Sequence, residues 1–182
     1  MSETLFTGKL VQLCTINKEK IAEMWANWNI DSDYTRLADI GPSYLYARKT
    51  IEDWIDEMND GSSEFAIRAI AEDKVIGDIG LGDFDRSSGT AWVGIGIGDP
   101  DFRGKGYGTD AMRIILRYAF EELNLHRVNL SVFEFNQRAI RSYEKCGFKY
   151  EGILREFIYK EDMRWNIWNM GILHSDWQEL QS

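Results

Sequence analysis

The chain is 182 residues long and weighs 21.1 kDa, which is enough for one well-buried domain and short for two. Hydrophobic residues make up 44% of it and charged residues 28%, and this globular composition excludes a disordered or collagen-like chain. The formal net charge of −9 argues against a nucleic-acid binder or a protein of anionic membrane surfaces, because either would carry a basic face.

The first part of the chain predicts one strand and two helices. Alternating residues over 5–16 are typical of a strand. Asn17 is expected to cap the helix that follows. Residues 29–48 are expected to be irregular, and a second helix is expected over 50–58, ended by Asn59.

Three strands follow, over 64–71, 75–84 and 90–98, and only short turns join them. Short turns connect antiparallel neighbours, because a parallel connection needs a crossover of roughly a dozen residues or more. A long helix with one apolar face is expected over about 108–123.

The last part of the chain predicts a strand over 127–133, a short helix over 136–146, and a hairpin of strands 148–159 and 164–173. This order of strands and helices predicts an α+β (mixed α/β) fold with one central sheet. No internal repeat or linker divides the chain, so a single domain is expected.

A glycine-rich loop joins the third of the three strands to the long helix. Gly104, Gly106 and Gly108 have no side chain that would keep an anion away from successive backbone N–H groups. The start of the helix adds free N–H donors and the positive end of its dipole. Because Arg103 and Lys105 add full positive charges, the loop predicts a phosphate site, with a simple tight turn as the alternative.

Two common phosphate loops do not fit this segment. A Walker loop needs four residues between its glycines and a Ser or Thr after its Lys. Here five residues separate Gly98 from Gly104, and Lys105 precedes Gly106. A dinucleotide fingerprint needs Gly-x-Gly-x-x-Gly in a βαβ unit, whereas the strand before this loop is expected in a hairpin.

A second constellation follows the strand over 127–133. It begins at Asn136, and Ala139, Ile140 and Tyr143 share one face of the short helix. We therefore expect Tyr143 to point inward, where a phenol needs a polar partner or a catalytic role.

The two patterns together resemble the acetyl-CoA site of the GNAT superfamily of N-acetyltransferases, and the likeness covers about residues 7–173. It is closest to the RimJ/RimL-like branch of ribosomal-protein N-terminal acetyltransferases, which includes spermidine acetyltransferases. The segments that carry it read Arg103-x-x-Gly106-x-Gly108 and Asn136-x-x-Ala139-x-x-x-Tyr143-Glu-Lys-x-Gly147-Phe148.

The resemblance implies a single GNAT-like domain with a mostly antiparallel sheet of about seven strands, splayed between the fourth and fifth, and about four helices. It implies acetyl-CoA as cosubstrate and no metal. The loop amides would hold the pyrophosphate, and the end of the preceding strand would pair with the pantetheine arm. Asn136 would bind that arm or fix the loop, and Tyr143 would lie beside the thioester sulfur. The implied cofactor-binding residues are Ile97, Gly98, Arg103, Gly104, Lys105, Gly106, Tyr107, Gly108, Thr109 and Asn136.

Two neighbouring strands each present a nearly bare face. Gly94, Gly96 and Gly98 share a face of one strand, and Gly80 and Gly82 share a face of the preceding strand. Glycine inside a strand often marks the close approach of a ligand or of another part of the backbone. A cofactor groove and a closely packed helix both explain this pattern.

The expected reaction is direct attack of a primary amine on the thioester, with Tyr143 as the acid that protonates the leaving thiolate. Relatives often carry Glu in the strand before the loop at a position where this chain has Trp92. The proton acceptor is therefore expected among Asp83, Glu134 and Asp78. Each of these is alternatively a solvated carboxylate or a group that attracts a cationic amine.

The expected acceptor is a protein or peptide N-terminal amine, on the resemblance to the branch alone. The alternatives are a polyamine such as spermidine, another small amine, or a CoA-binding module without turnover. Cys146 is expected to be a buried filler rather than a nucleophile. The start of the chain lacks the features of a signal peptide and two cysteines cannot form a disulfide framework, so a cytoplasmic protein is expected. A monomer and a homodimer, paired through the final hairpin, are both expected possibilities.

Overall fold

A computed structural model describes residues 4–15, 17–58 and 63–181. Within these ranges the strands are β1 (Val11–Thr15), β2 (Ser63–Ala69), β3 (Lys74–Asp85), β4 (Thr90–Ile97), β5 (Arg127–Phe133), β6 (Lys149–Lys160) and β7 (Met163–Leu173). The α-helices are α1 (Lys18–Trp28), α2 (Ser32–Ala38), α3 (Arg48–Met58), α4 (Tyr107–Arg117), α5 (Gln137–Glu144) and α6 (His174–Glu179).

The strands form one sheet in the order β1-β2-β3-β4-β5-β7-β6. Every neighbouring pair is antiparallel except β4 and β5, which are parallel. The β4–β5 ladder covers only Thr90–Trp92 against Arg127–Asn129, and the two strands separate beyond it. The predicted mixed α/β fold, with its sheet splayed between the fourth and fifth strands, is confirmed.

Helix α4 supplies the centre of the core on one face of the sheet. Its side chains Ala111, Met112 and Ile115 are fully buried, and they cluster with Ile79 and Leu81 of β3. Burying each large aliphatic side chain contributes roughly 1.5–3 kcal/mol. The apolar stripe predicted for the long helix therefore anchors the helix whose first turn follows the glycine-rich loop.

The opposite face of the sheet carries α1 and α2. The indole Nε1 of Trp25 donates a 2.9 Å hydrogen bond to Asp78 of β3. The Trp28 ring lies over Gly98, and α3 packs against α1. This face is the one on which the bare glycine positions lie.

Two helices were not predicted from the sequence. Helix α2 lies inside the segment that was expected to be irregular. It forms there because the Asp31 carboxylate caps its first turn, accepting from the N–H groups of Asp33 and Tyr34. Helix α6 begins where Asp176 accepts from the N–H of Leu173. The described ranges therefore hold six α-helices rather than about four.

Other boundaries differ in smaller ways. β1 is shorter than the predicted strand over 5–16, and Thr7 contributes only an isolated bridge to Gln12. The long helix changes to a π-helical segment over Tyr118–Glu122. Ile16 and the predicted helix end at Asn59 lie outside the described residues. No helix in the described ranges is long and apolar enough to cross a membrane.

Candidate active site

A cavity of about 870 Å³ lies where β4 and β5 separate, and both sequence patterns contribute to its wall. Gly104 and Gly106 line it from the loop. Asn136, the N-cap of α5, and Tyr143, within α5, line it from the other pattern. Its volume is typical of a site for a small molecule or cofactor. The splay of the sheet thus brings together two segments that are separate in the sequence.

The loop backbone is shaped to receive an anion. Gly104 has a φ of +74° and Gly106 a φ of +95°, both in the left-handed region that favours glycine. Gly106 is the N-cap of α4, and no side chain caps the helix there. A Cβ at Gly104 would meet no other atom within 4 Å, so the loop amides have open space beside them. Such a concave run of N–H groups at a helix start is a phosphate-binding arrangement.

Basic side chains of α5 line the same end of the cavity. Arg138, Arg141 and Lys145 are exposed on α5 and at its C-cap, and all three line the cavity. A 2.7 Å hydrogen bond between the Thr109 and Ser142 hydroxyls joins the first turn of α4 to α5. The two arginines were not predicted from the sequence, although cations recurring at helical spacing after Asn136 were a usable signal.

Arg103 binds the end of β4 and the residue that caps α2. Its Nε donates 2.8 Å to the carbonyl of Ile97, its Nη1 lies 2.6 Å from an Asp31 carboxylate oxygen, and its Nη2 donates to the carbonyl of Gly98. The guanidinium also lies over the Tyr34 ring, 5.1 Å from its centroid. The hydrogen bond from Arg103 lowers the pKa of Asp31. The positive charge of Arg103 is therefore engaged on the α2 side.

Three residues of the implied cofactor set do not line the cavity. Gly98 is buried under the Trp28 ring, and Lys105 is exposed. The Tyr107 ring packs on Phe102 with a centroid distance of 5.1 Å. Ile97, Arg103, Gly104, Gly106, Gly108, Thr109 and Asn136 do line it.

Tyr143 lines the cavity from α5, on the inward face that the helical spacing predicts. Burial raises the pKa of its phenol to about 12. Tyr143 is therefore protonated near neutral pH and can donate a proton. Asn136 holds the start of α5 in place, because its side-chain oxygen accepts from the N–H of Ala139 at 3.2 Å.

Of the three carboxylates considered as proton acceptors, only Asp78 lines the cavity. Glu134 is held by both carboxylate oxygens, which accept from the backbone N–H and the side-chain amide of Asn166 at 2.7 Å each. Asp83 lies in a left-handed conformation with a φ of 48° near the end of β3. The geometry thus places Glu134 in a link between β5 and β7 and Asp83 outside the cavity wall.

Asp78 and Glu64 are half-buried carboxylates that interact with each other and line the cavity from β3 and β2, and we call this part of the cavity its acidic end. Burial raises the pKa of Asp78 to about 6. Burial, and secondly the charge of Asp78, raise the pKa of Glu64 to about 7. Glu64 was not predicted from the sequence. Glu64 pairs with Gly80 in the β2–β3 ladder. An acidic residue opposite a row of glycines would have indicated this site residue, but the sequence does not show which residues pair.

The bare glycine faces are partly covered and partly open. A Cβ at Gly98 would clash with the Trp28 ring, one at Gly96 with the Tyr34 hydroxyl, and one at Gly80 with the Glu64 carboxylate. Gly94 lines the cavity, and a Cβ there would meet nothing within 4 Å. Close packing therefore explains some of the glycines and the cavity explains Gly94.

Cys146 is buried, and burial raises the pKa of its thiol to about 11. Its sulfur lies 3.6 Å from the carbonyl oxygen of Thr109, to which it donates. A thiol held protonated in this way is a weak nucleophile. Within the described ranges, no group of three or more His, Cys, Asp or Glu is placed to hold a metal ion.

Several known proteins are similar to this chain in sequence or in fold. A family model described as "Acetyltransferase (GNAT) domain" matches residues 11–149. The SPbeta prophage-derived uncharacterized N-acetyltransferase YokL of Bacillus subtilis (strain 168) is 31% identical over 160 residues, 87% of this chain and 87% of that protein. The uncharacterized N-acetyltransferase p20 of Bacillus licheniformis is 30% identical over 162 residues, 85% of this chain and 87% of that protein.

Among solved structures, the spermidine N-acetyltransferase from Vibrio cholerae in complex with CoA and spermine superposes with a TM-score of 0.82. The match covers 93% of this chain and 98% of that one at 24% identity, so it supports the fold alone. The family match and the YokL similarity reach further, because they extend over most of the chain and include both sides of the cavity. The chain therefore belongs to the GNAT family and is an acetyl-CoA-dependent N-acetyltransferase.

Proposed function

We propose that this enzyme acetylates a small primary amine, and that the amine binds at the end of the cavity lined by Glu64 and Asp78. The observation that carries the proposal is the separation of charge along one cavity. The loop and the basic residues of α5 line one part of it, and two half-buried carboxylates of β2 and β3 line another. Tyr143 lines the same cavity, as the proposed reaction requires.

The proposed position of acetyl-CoA follows from this polarity. Its diphosphate would bind the amides from Gly104 to Gly108, and Arg138, Arg141 and Lys145 would balance its remaining phosphate charge. The pantetheine arm would lie along the edge of β4 over 93–97, which faces β5 without ladder pairing in the described residues. The carbonyls of Ile97 and Gly98 already accept from Arg103, so the arm would pair with earlier residues of β4.

The proposed chemistry needs two proton transfers. An alkylamine is largely protonated in water near neutral pH and must lose a proton before it can attack. The neutral nitrogen then forms a bond to the carbonyl carbon, and the carbon–sulfur bond breaks. The leaving thiolate takes the phenolic proton of Tyr143. The reacting nitrogen loses its second proton as it becomes an amide, and that proton restores the phenol.

The lining of the acidic end favours a small organic cation. Carboxylates attract an ammonium group, and the Trp25 and Tyr34 rings suit it through cation–π contact. Leu37, Ala38 and Ile40 offer apolar contact to the rest of the molecule. The structurally similar Vibrio cholerae enzyme was solved with spermine, which belongs to this chemical class.

A protein or peptide N-terminal amine is the second candidate, as the RimJ/RimL-like resemblance implies. The observation in its favour is exposed apolar surface beside the cavity. Ile40 lines the cavity and is 58% exposed, and Leu45 is 80% exposed farther along the same segment. A peptide that places its N-terminus in the cavity could pack on these side chains.

Thiol release from acetyl-CoA with a panel of acceptors tests the proposal. The panel would contain alkyl monoamines, diamines, spermidine, and peptides with free or blocked N-termini, and mass spectrometry would identify each product. We expect small primary amines to give the highest kcat/KM. Faster turnover of free-N-terminal peptides than of every small amine would overturn the small-amine proposal in favour of the second candidate.

A further inference from the structure

We propose that Glu64 and Asp78 act together as the proton acceptor for the attacking amine. This inference rests on the proposed function, since it assigns a role to residues at the acceptor end of the same cavity. The strands that border the cleft supply no carboxylate to the lining, because the lining residues of β4 and β5 are 93–97 and 131–133. The carboxylates that line the cavity come instead from β2 and β3.

Strand register places the two carboxylates on the same face of the sheet, in neighbouring cross-strand rows. Asp78 pairs with Gly96 across the β3–β4 ladder, and Glu64 pairs with Gly80 across the β2–β3 ladder. Residues paired in this way project to the same face of a sheet. Gly94 pairs with Gly80, so its open space continues the Glu64 row toward the cleft, and an amine nitrogen reaches Glu64 without passing another side chain on that row.

The groups around the pair leave it without a compensating cation. From α1, the Trp25 indole donates to one oxygen of Asp78. From α2, the Tyr34 phenol lies near Asp78, and burial raises its pKa, so it stays neutral. Arg103, beyond Tyr34, is paired with Asp31. Within the described ranges neither Glu64 nor Asp78 forms an ion pair, so a bound ammonium group would be their first cationic partner.

Two interacting carboxylates at one site share protons as a unit. One charged member holds the ammonium group, and the pair accepts the proton that the nitrogen must lose. The raised pKa values, about 7 for Glu64 and about 6 for Asp78, put this exchange near neutral pH, where a general base is most effective. After amide formation the pair returns the proton to solvent, so each turnover releases one proton, one CoA thiol and one amide.

The test compares Glu64→Gln and Asp78→Asn with the wild-type enzyme, using an alkylamine and an aromatic amine as acceptors. The aromatic amine is neutral at pH 7 and needs no base before attack. We expect each substitution to lower kcat with the alkylamine by about 100-fold and to affect the aromatic amine much less. The rise of kcat/KM with pH near neutrality should disappear for the alkylamine.

The matched control is Glu122→Gln, which neutralises an exposed carboxylate that does not line the cavity and should leave kcat unchanged. Thermal unfolding and calorimetry with acetyl-CoA show whether each variant is folded and binds its cosubstrate. Equal losses with both amines would identify a structural role and overturn the inference, as would wild-type pH profiles in both variants. If the wild-type enzyme acetylates no small amine, the proposed function itself fails.

Discussion

The two ends of the proposed site present opposite charges by different means. At the proposed cofactor end the backbone supplies much of the surface, through glycines in the left-handed region at the start of α4. At the proposed acceptor end side chains supply it, and they come from α1, α2, β2 and β3. A backbone site leaves a short sequence motif, whereas a side-chain site assembled from distant elements leaves none. The cofactor was therefore easier to predict from the sequence than the acceptor.

The largest expected effect concerns the residue between the two ends. Tyr143→Phe should lower kcat by about 100-fold or more while the KM for acetyl-CoA changes little, because the substitution removes only the proton donor to the thiolate. Steady-state kinetics with both substrates varied would measure the two parameters. An unchanged kcat would remove Tyr143 from the chemistry and leave the ends of the cavity without the proposed acid between them.

The free energy of unfolding should fall as the pH rises, because the carboxylates at the acidic end become charged. The pKa of Glu64 is raised from 4.5 to about 7, so the folded protein favours the protonated form, and stability is lost as pH increases through this window. Glu64→Gln should therefore increase the free energy of unfolding by about 2 kcal/mol at pH 8 and change it little at pH 4. Denaturant unfolding at the two pH values measures this. A gain at pH 4 and none at pH 8 would contradict the sign.

The cofactor end should be sensitive to loop backbone geometry. Gly106→Ala places a side chain at a φ of +95°, which strains the loop and disturbs its amides. We expect the KM for acetyl-CoA to rise about tenfold with little change in the KM for the amine. Gly82→Ala is the control, since Gly82 lies outside the cavity wall and its Cβ would meet nothing within 4 Å. Equal effects of the two substitutions would show that the loop geometry has no special role.

The smallest expected effect separates two cations of the same loop. Arg103 holds Asp31 and Tyr34 of the acceptor side, so Arg103→Gln should raise the KM for the amine about fivefold and that for acetyl-CoA less. Lys105 is exposed, so Lys105→Gln should leave the KM for the amine unchanged and raise only the KM for acetyl-CoA. A selective rise in the acetyl-CoA KM for Arg103→Gln would return Arg103 to the cofactor end.

The sequence allowed most of the fold and the position of the loop to be predicted, because hydrophobic periodicity and glycine spacing are local properties. Tyr143 was predicted to face inward from helical spacing alone, and it does line the cavity. Helix α2 was missed because its formation depends on the Asp31 cap in a segment without a strong apolar period.

Long-range contacts account for the rest. Glu64 enters the site only through its register opposite Gly80, which no local pattern specifies. Arg103 was expected near the pyrophosphate, but its ion pair with Asp31 joins residues 72 positions apart in the chain. The sequence shows that Glu64 and Arg103 are charged. It does not show which residues they contact, because the packing of the strands and helices decides that.

The most direct test of the account is a crystal structure of this enzyme with CoA and a primary alkylamine. We expect the diphosphate on the amides from Gly104 to Gly108, the sulfur beside Tyr143, and the amine nitrogen on the side of Glu64 and Asp78. A diphosphate bound away from that loop, or an amine bound outside the acidic end of the cavity, would contradict it.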